Sequence, residues 1–145
     1  MAVLIDTNIL LRSSQRVQPR SVIAARATNI LDSKNEDLVV LPQNIVEFWA
    51  VATRPLSVNG LGLTVNQTIL EVNRLSLLFE LLPEVPVHGE WLRLVTKYQV
   101  LGKNVHDARL VAAMIVNGID SILTFNVPDF ARYSEIKALD PALVT

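Results

Sequence analysis

Hydrophobic positions along the chain fall into short, wholly apolar runs separated by longer stretches with helical spacing. Residues 2–5 (Ala-Val-Leu-Ile) carry no polar side chain, which predicts a strand buried on both faces. Residues 38–41 (Leu-Val-Val-Leu) repeat the pattern with β-branched side chains, and 79–82, 121–124 and 136–139 predict three further short strands. Between them, 20–32 places Val22, Ile23, Ala27, Ile30 and Leu31 near helical spacing. Pro42 suits the first position of a helix that Arg54-Pro55 closes. Thr64 reads as the N-cap of a helix running to Leu78. Residues 87–100 predict another helix with Gly102 as its stop, Asn104 opens the next, and Gly118 ends it. Residues 130–133 predict a short helix or turn. The polar stretch 12–19 reads as a helix end and loop, and 55–63, with Asn59-Gly60 and Gly62, as a loop with scope for motion. Strands alternating with helices predict an α/β fold with a parallel sheet, and 145 residues suffice for one domain spanning 1–145 with a sizeable core.

Against that apolar background the isolated charges stand out. Asp6 ends the first strand and is the only charged side chain before Arg12. In an open α/β sheet ligands bind at the carboxyl ends of strands, although Asp6-Thr7-Asn8 is equally good turn and helix-cap chemistry. Glu47 is the only charge between Asp37 and Arg54, inside Ile45-Val-Glu47-Phe-Trp-Ala-Val51. A carboxylate on so apolar a helix needs a counter-charge or a metal, and the plain alternative is pairing with an arginine. Asp107 opens a helix with no charge between Arg109 and Asp120; with Asn104 as N-cap it would also complete a capping box. Asp129 follows the fourth strand as Asp6 follows the first, and its alternative is capping a short helix.

Other chemistries lack their residues. The chain has no cysteine, and His88 and His106 have no zinc-ligand spacing. Neither a glycine-rich phosphate loop nor a serine triad is present. Thirteen Lys and Arg against fourteen Asp and Glu give a net charge of −1, which argues against indiscriminate polyanion binding. The longest apolar run, 110–116, falls far short of the roughly 20 residues of a membrane span. No secretory signal is visible, and the lack of cysteine fits a reducing cytosol. Acids on strand ends and helix starts, without zinc ligands, suit a hard divalent cation such as Mg²⁺ or Mn²⁺ and the phosphodiester hydrolysis such ions assist.

These residues match a known family. The chain resembles PIN domains, and among them the VapC-like toxins of bacterial toxin–antitoxin modules. The likeness rests on Leu4-Ile-Asp6-Thr7-Asn8-Ile-Leu10, on Glu47, on His106-Asp107-Ala108, and on Leu123-Thr124-Phe-Asn126 with Asp129-Phe130. Thr53-Arg-Pro55 and Asn59-Gly-Leu-Gly-Leu63 match one branch of it. The resemblance implies a three-layer α/β/α sandwich with strand order 3-2-1-4-5. It implies a Mg²⁺- or Mn²⁺-dependent endoribonuclease, a cytoplasmic homodimer inhibited by a cognate antitoxin. It assigns Asp6, Glu47 and Asp107 to the metal, Thr124 to a supporting hydrogen bond, and Thr7 and Asn8 to the same motif. A fourth acid usual in the family is replaced by Asn126, leaving Asp129 as the other candidate for that position. Arg12, Arg16, Arg20, Lys103 and Arg109 flank the acids and are candidate RNA contacts. The high apolar content, 50%, is a second reason to expect a dimer. The competing expectation is a PIN-like protein that binds nucleic acid or a partner without cutting, which the neutral Asn126 would favour.

Overall fold

In the computed structural model, which describes residues 1–15 and 18–145, five parallel strands form one sheet. The strands are β1 (Ala2–Ile5), β2 (Asp37–Val40), β3 (Glu80–Leu81), β4 (Ser121–Leu123) and β5 (Lys137–Leu139), in the order β3-β2-β1-β4-β5. β1 is central: Leu4 pairs with Val39 on one side and with Ile122 on the other. Helices α1 (Thr7–Ser13), α2 (Pro19–Ser33), α3 (Pro42–Thr53), α4 (Val65–Leu78), α5 (His88–Lys97), α6 (Val105–Val116) and α7 (Val127–Phe130) supply the connections.

Strand alternation explains the layers. Successive side chains on a strand point to opposite faces, so Leu4, Val39 and Ile122 enter one core while Val3, Ile5, Val40 and Leu123 enter the other. The first core is completed from α5 and α6, through Leu94 and the unbroken run Leu110–Met114. The second is completed from α1 to α4, through Ile9, Leu10, Ala24, Ala27, Phe48, Ala52 and Leu75. The wholly apolar β1 and the buried apolar ends of β2 and β4 are what a sheet covered on both faces requires.

Several boundaries differ from the sequence expectation, each for a local reason. Helix α1 continues through Arg12 to Ser13, whose hydroxyl donates back to Ile9 O at 3.0 Å. Helix α5 stops at Lys97 rather than at Gly102. Val100 N donates to Val95 O at 3.0 Å and Gln99 takes the left-handed position, φ 50°, because burying Val100 turns the chain inward. Gly102, φ 59°, instead opens a single 3₁₀ turn. Gly118 does close α6, with φ 69° and an Ile119 N to Met114 O bond of 2.8 Å. Thr64 caps α4 in a reciprocal pair with Gln67. Helix α7 lies earlier than 130–133 because Pro128 falls in its first turn, where a missing N–H does no harm.

The loop 55–63 is tied down by its backbone. Leu61 N donates to Val51 O, Gly62 N to Arg54 O and Leu63 N to Ala52 O, all between 2.9 and 3.1 Å. Gly60 fits because it has no side chain: a Cβ there would stand 1.9 Å from Arg54 O. Gly60→Ala is expected to destabilise the fold by about 1–3 kcal/mol in urea unfolding. Gly89→Ala, on α5 with nothing within 4 Å of the new methyl, is the matched control and should be stabilising by about 0.5–1 kcal/mol. Equal midpoints for the two variants would mean the loop does not pack as described.

Candidate functional site

The carboxyl end of β1 delivers Asp6 to the seam between β1 and β4. Its backbone N–H still belongs to the sheet, donating to Leu123 O at 3.1 Å, while its side chain begins α1. Asp6 Oδ1 accepts from Thr7 N at 2.8 Å, and Oδ2 accepts from Thr124 Oγ1 at 2.7 Å and from Asn8 Nδ2 at 3.3 Å. Asn8 also accepts from Phe125 N at 3.2 Å, and Thr124 Oγ1 accepts from Asn126 N at 3.0 Å. Thr124 is fully buried, so the start of the β4–α7 turn is fastened to Asp6 by side chains rather than by ladder bonds. The cap reading and the site reading of Asp6 therefore describe the same side chain.

Glu47 reaches the same region from α3. Its Oε2 accepts from Thr7 Oγ1 at 2.9 Å and its Oε1 from Gln43 Nε2 at 3.0 Å. No arginine among the described residues pairs with it. Asp107 stands in the first turn of α6, half-buried. The capping-box reading fails there: Asn104 has helical backbone angles, φ −66° and ψ −12°, and its side chain makes no capping bond. Asp129 lies exposed in the first turn of α7, and Asn126, also exposed, precedes that helix as its N-cap residue without a capping bond from its side chain.

Electrostatics couple these acids. Burial, with Glu47 and Asp107 adding like charge, pushes the Asp6 carboxyl up from 3.8 to about 6 against the pull of its Thr124 and Thr7 hydrogen bonds. Asp107 is also raised, first by burial, then by Asp129 and Glu47, with His106 and Arg132 opposing. Asp129, rather than Asn126, is thus the residue on the β4–α7 turn whose charge Asp107 feels. Among the described residues no three acidic or histidine side chains are drawn together into a finished metal cage. The donors nevertheless fit a hard cation: they are carboxylate oxygens, mutually repelling, partly desolvated, and without an ion pair to any described basic side chain.

The basic candidates divide. Arg109 donates to Gln43 Oε1 at 2.9 Å and to Glu84 at 3.5 Å. Arg12 donates to Gln15 Oε1 at 2.8 Å, and Arg20 lies over the Phe125 ring, 5.3 Å from its centroid. Lys103 is exposed in the turn before α6. Arg16 lies outside the described residues. Two residues with structural claims on the site escaped the sequence reading. Fully buried Asn44 accepts from Leu41 N at 2.9 Å and donates to Thr7 Oγ1 at 3.4 Å. Gln43 joins Glu47 to the start of α6. The available signal was their position behind Pro42, one turn and three residues before Glu47.

The raised Asp6 pKa has a sign that stability measurements can read. The proton on Asp6 favours the fold; that contribution is complete below about pH 4 and is lost as pH rises through about 6. At neutral pH ionised Asp6 then opposes folding by something on the order of 3 kcal/mol. Asp6→Asn, which keeps an acceptor for Thr7 N, should melt higher than the parent at pH 7.5. The gap should close as pH falls from 7 to 4, followed by circular dichroism. A gap that does not change with pH would rule out Asp6 as the titrating group.

The family model described as PIN domain matches residues 3–136. No curated protein sequence matches the chain. Among solved structures, VapBC2 from Rickettsia felis, bound to a DNA fragment from its promoter, superposes with a TM-score of 0.72 at 14% identity, covering 96% of this chain and 98% of that one. VapBC-1 from nontypeable Haemophilus influenzae gives 0.67 at 20% identity, covering 97% and 98%. A toxin–antitoxin complex from Klebsiella pneumoniae gives 0.63 at 18% identity, covering 96% and 97%. PIN domains are typically nucleases and generally use a divalent metal. A match across 3–136, on a sheet of order 3-2-1-4-5 with an acid closing its central strand, leaves one conclusion: the chain belongs to the PIN-domain family.

Proposed function

We propose that this protein is a Mg²⁺- or Mn²⁺-dependent endoribonuclease and the toxin of a toxin–antitoxin pair, working in the cytoplasm. The observation that carries the reading is the proximity of like charges: Asp6 and Asp107 are both raised by burial and then by neighbouring carboxylates, and neither makes an ion pair with a described basic side chain. Such an arrangement is stabilised when a cation arrives and would repel a phosphate backbone without one. Asp6, Glu47 and Asp107 would hold the ion, with Asp129 as the next acid available. A divalent cation bound there would offset the charge on a phosphodiester and lower the pKa of an attacking water. Thr7, Asn8 and Thr124 fix Asp6 and Glu47 by hydrogen bonding, Asn126 fastens its backbone to Thr124, and Arg12, Arg20, Lys103 and Arg109 would serve as phosphate contacts. Arg16 belongs to the same proposed set from its place in the sequence. The toxin–antitoxin complexes among the structural neighbours support a cognate antitoxin as partner. Neutral Asn126 in the fourth position favours the second reading, a PIN domain that binds nucleic acid or a partner with weak or no cleavage.

Cleavage of a mixed RNA pool separates the two. Activity should require Mn²⁺ or Mg²⁺, vanish in EDTA, and fall by about 10²-fold or more in Asp6→Asn and Asp107→Asn, each of which removes a charge from the ion site. Calorimetry should find one tight Mn²⁺ in the parent, with Asp129→Asn less damaging to activity than Asp6→Asn and Asn126→Asp tightening a second ion. Full activity in EDTA would defeat the nuclease reading, and Mn²⁺ binding without cleavage would favour the second.

A homodimer forms part of the same proposal. Exposed apolar side chains on α4, including Ile69, Leu70, Leu77 and Leu78, give it a surface to bury. Light scattering at micromolar concentration should report about twice the 16.1 kDa chain mass. A monomer across the concentration range would exclude it.

A further inference from the structure

We propose that Gln43 is a positioning residue that holds Glu47 at a fixed distance and orientation relative to the start of α6, and so to Asp107. This rests on the metal-dependent reading given above. Gln43 and Glu47 are four residues apart on α3, hence neighbours on one helix face. Gln43 Nε2 donates to Glu47 Oε1 at 3.0 Å and also to the His106 carbonyl at 2.9 Å, while its Oε1 accepts from Arg109 Nη1 at 2.9 Å. His106 immediately precedes Asp107, and Arg109 follows it by two. One side-chain amide therefore spans the two helices that carry two of the three acids.

The chemistry of the partners fixes which way the amide faces. A carboxylate and a carbonyl only accept, and a guanidinium only donates, so a flipped amide would meet three mismatched groups. Arg109 thus locks the amide, and the amide locks Glu47. The carboxylate is held on its other oxygen by Thr7 Oγ1, which itself accepts from Asn44 at 3.4 Å. Glu47 is in this way pinned from β1–α1 on one side and from α6 on the other, with neither pin a positive charge that would cancel the carboxylate. A direct Arg–Glu pair would hold Glu47 equally well and weaken it as a cation ligand. The amide interposed between Arg109 and Glu47 keeps the acid oriented and leaves its charge free.

The rival account is a plain strut between α3 and α6, and the two are separated by what a substitution changes. Gln43→Met keeps side-chain length and helix propensity while deleting all three bonds. Gln43→Glu keeps an acceptor for Arg109 but donates to neither Glu47 nor His106. By calorimetry, Gln43→Met should weaken Mn²⁺ binding about tenfold, the scale expected when the partner that orients a ligand is removed. In RNA cleavage both variants should lose about tenfold in kcat with KM within about twofold, since ligand geometry rather than substrate docking is disturbed. Should Gln43→Met fold poorly, Gln43→Glu carries the test: its kcat falls despite the added negative charge. A lower melting temperature with unchanged Mn²⁺ affinity and unchanged kcat would reduce Gln43 to a strut and overturn the proposal. The Mn²⁺ arm needs no RNA, so it decides the role of Gln43 separately from whether the parent cuts RNA.

Discussion

An aspartate with only 7% of its surface exposed, at the end of the central strand, is the constraint around which this molecule is arranged. A carboxylate taken out of water must be hydrogen-bonded or matched by opposite charge. Asp6 receives hydrogen bonds from Thr7, Asn8 and Thr124, and no described cation. The partners come from two segments more than a hundred residues apart, so satisfying one side chain fastens β1 to the turn after β4. The central place of β1 in the sheet makes that seam the most enclosed position available for an acid.

The same economy of neutral donors holds Glu47. Glu47 is bonded by a threonine hydroxyl and a glutamine amide, neither of which carries charge. Arg109 is engaged by Gln43 and Glu84 and Arg12 by Gln15, while His106 and Arg132 offset only part of the upward shift on Asp107. The structure thus keeps negative potential concentrated at the strand ends instead of quenching it with ion pairs. Folding stability is given up locally for that, since repelling, partly buried carboxylates favour protonation, as the raised Asp6 and Asp107 carboxyls record.

How much of this was legible in the sequence depends on the kind of signal. Apolar runs such as 2–5 and 38–41 announce strands covered on both faces, and lone charges on apolar elements single out Asp6, Glu47 and Asp107. The strand order came with the family likeness rather than from periodicity, because alternation along a strand says nothing about its neighbours. Local competition hid the rest. Gly102 looked like the end of α5, but the burial of Val100 made Gln99 the turning point. Asn104 looked like a cap, but its backbone is already helical. Gln43 and Asn44 looked like ordinary polar residues of a first turn. Their partners, His106, Arg109 and Thr7, lie 37 to 66 residues away in the chain, beyond any local pattern.

The sharing of each core and of the acid cluster between distant segments bears on how the protein is made. The face built from α1 to α4 draws mainly on residues up to Phe79, so most of its apolar surface is available early in synthesis. The cluster does not share that advantage, because Asp6 and Glu47 wait for Asp107 and for the Thr124 hydroxyl that anchors Asp6. A chain still short of β4 has its central strand unpaired on one side and its acids unassembled. Whatever chemistry the site performs is therefore withheld from the nascent chain until β4 and Thr124 have been made.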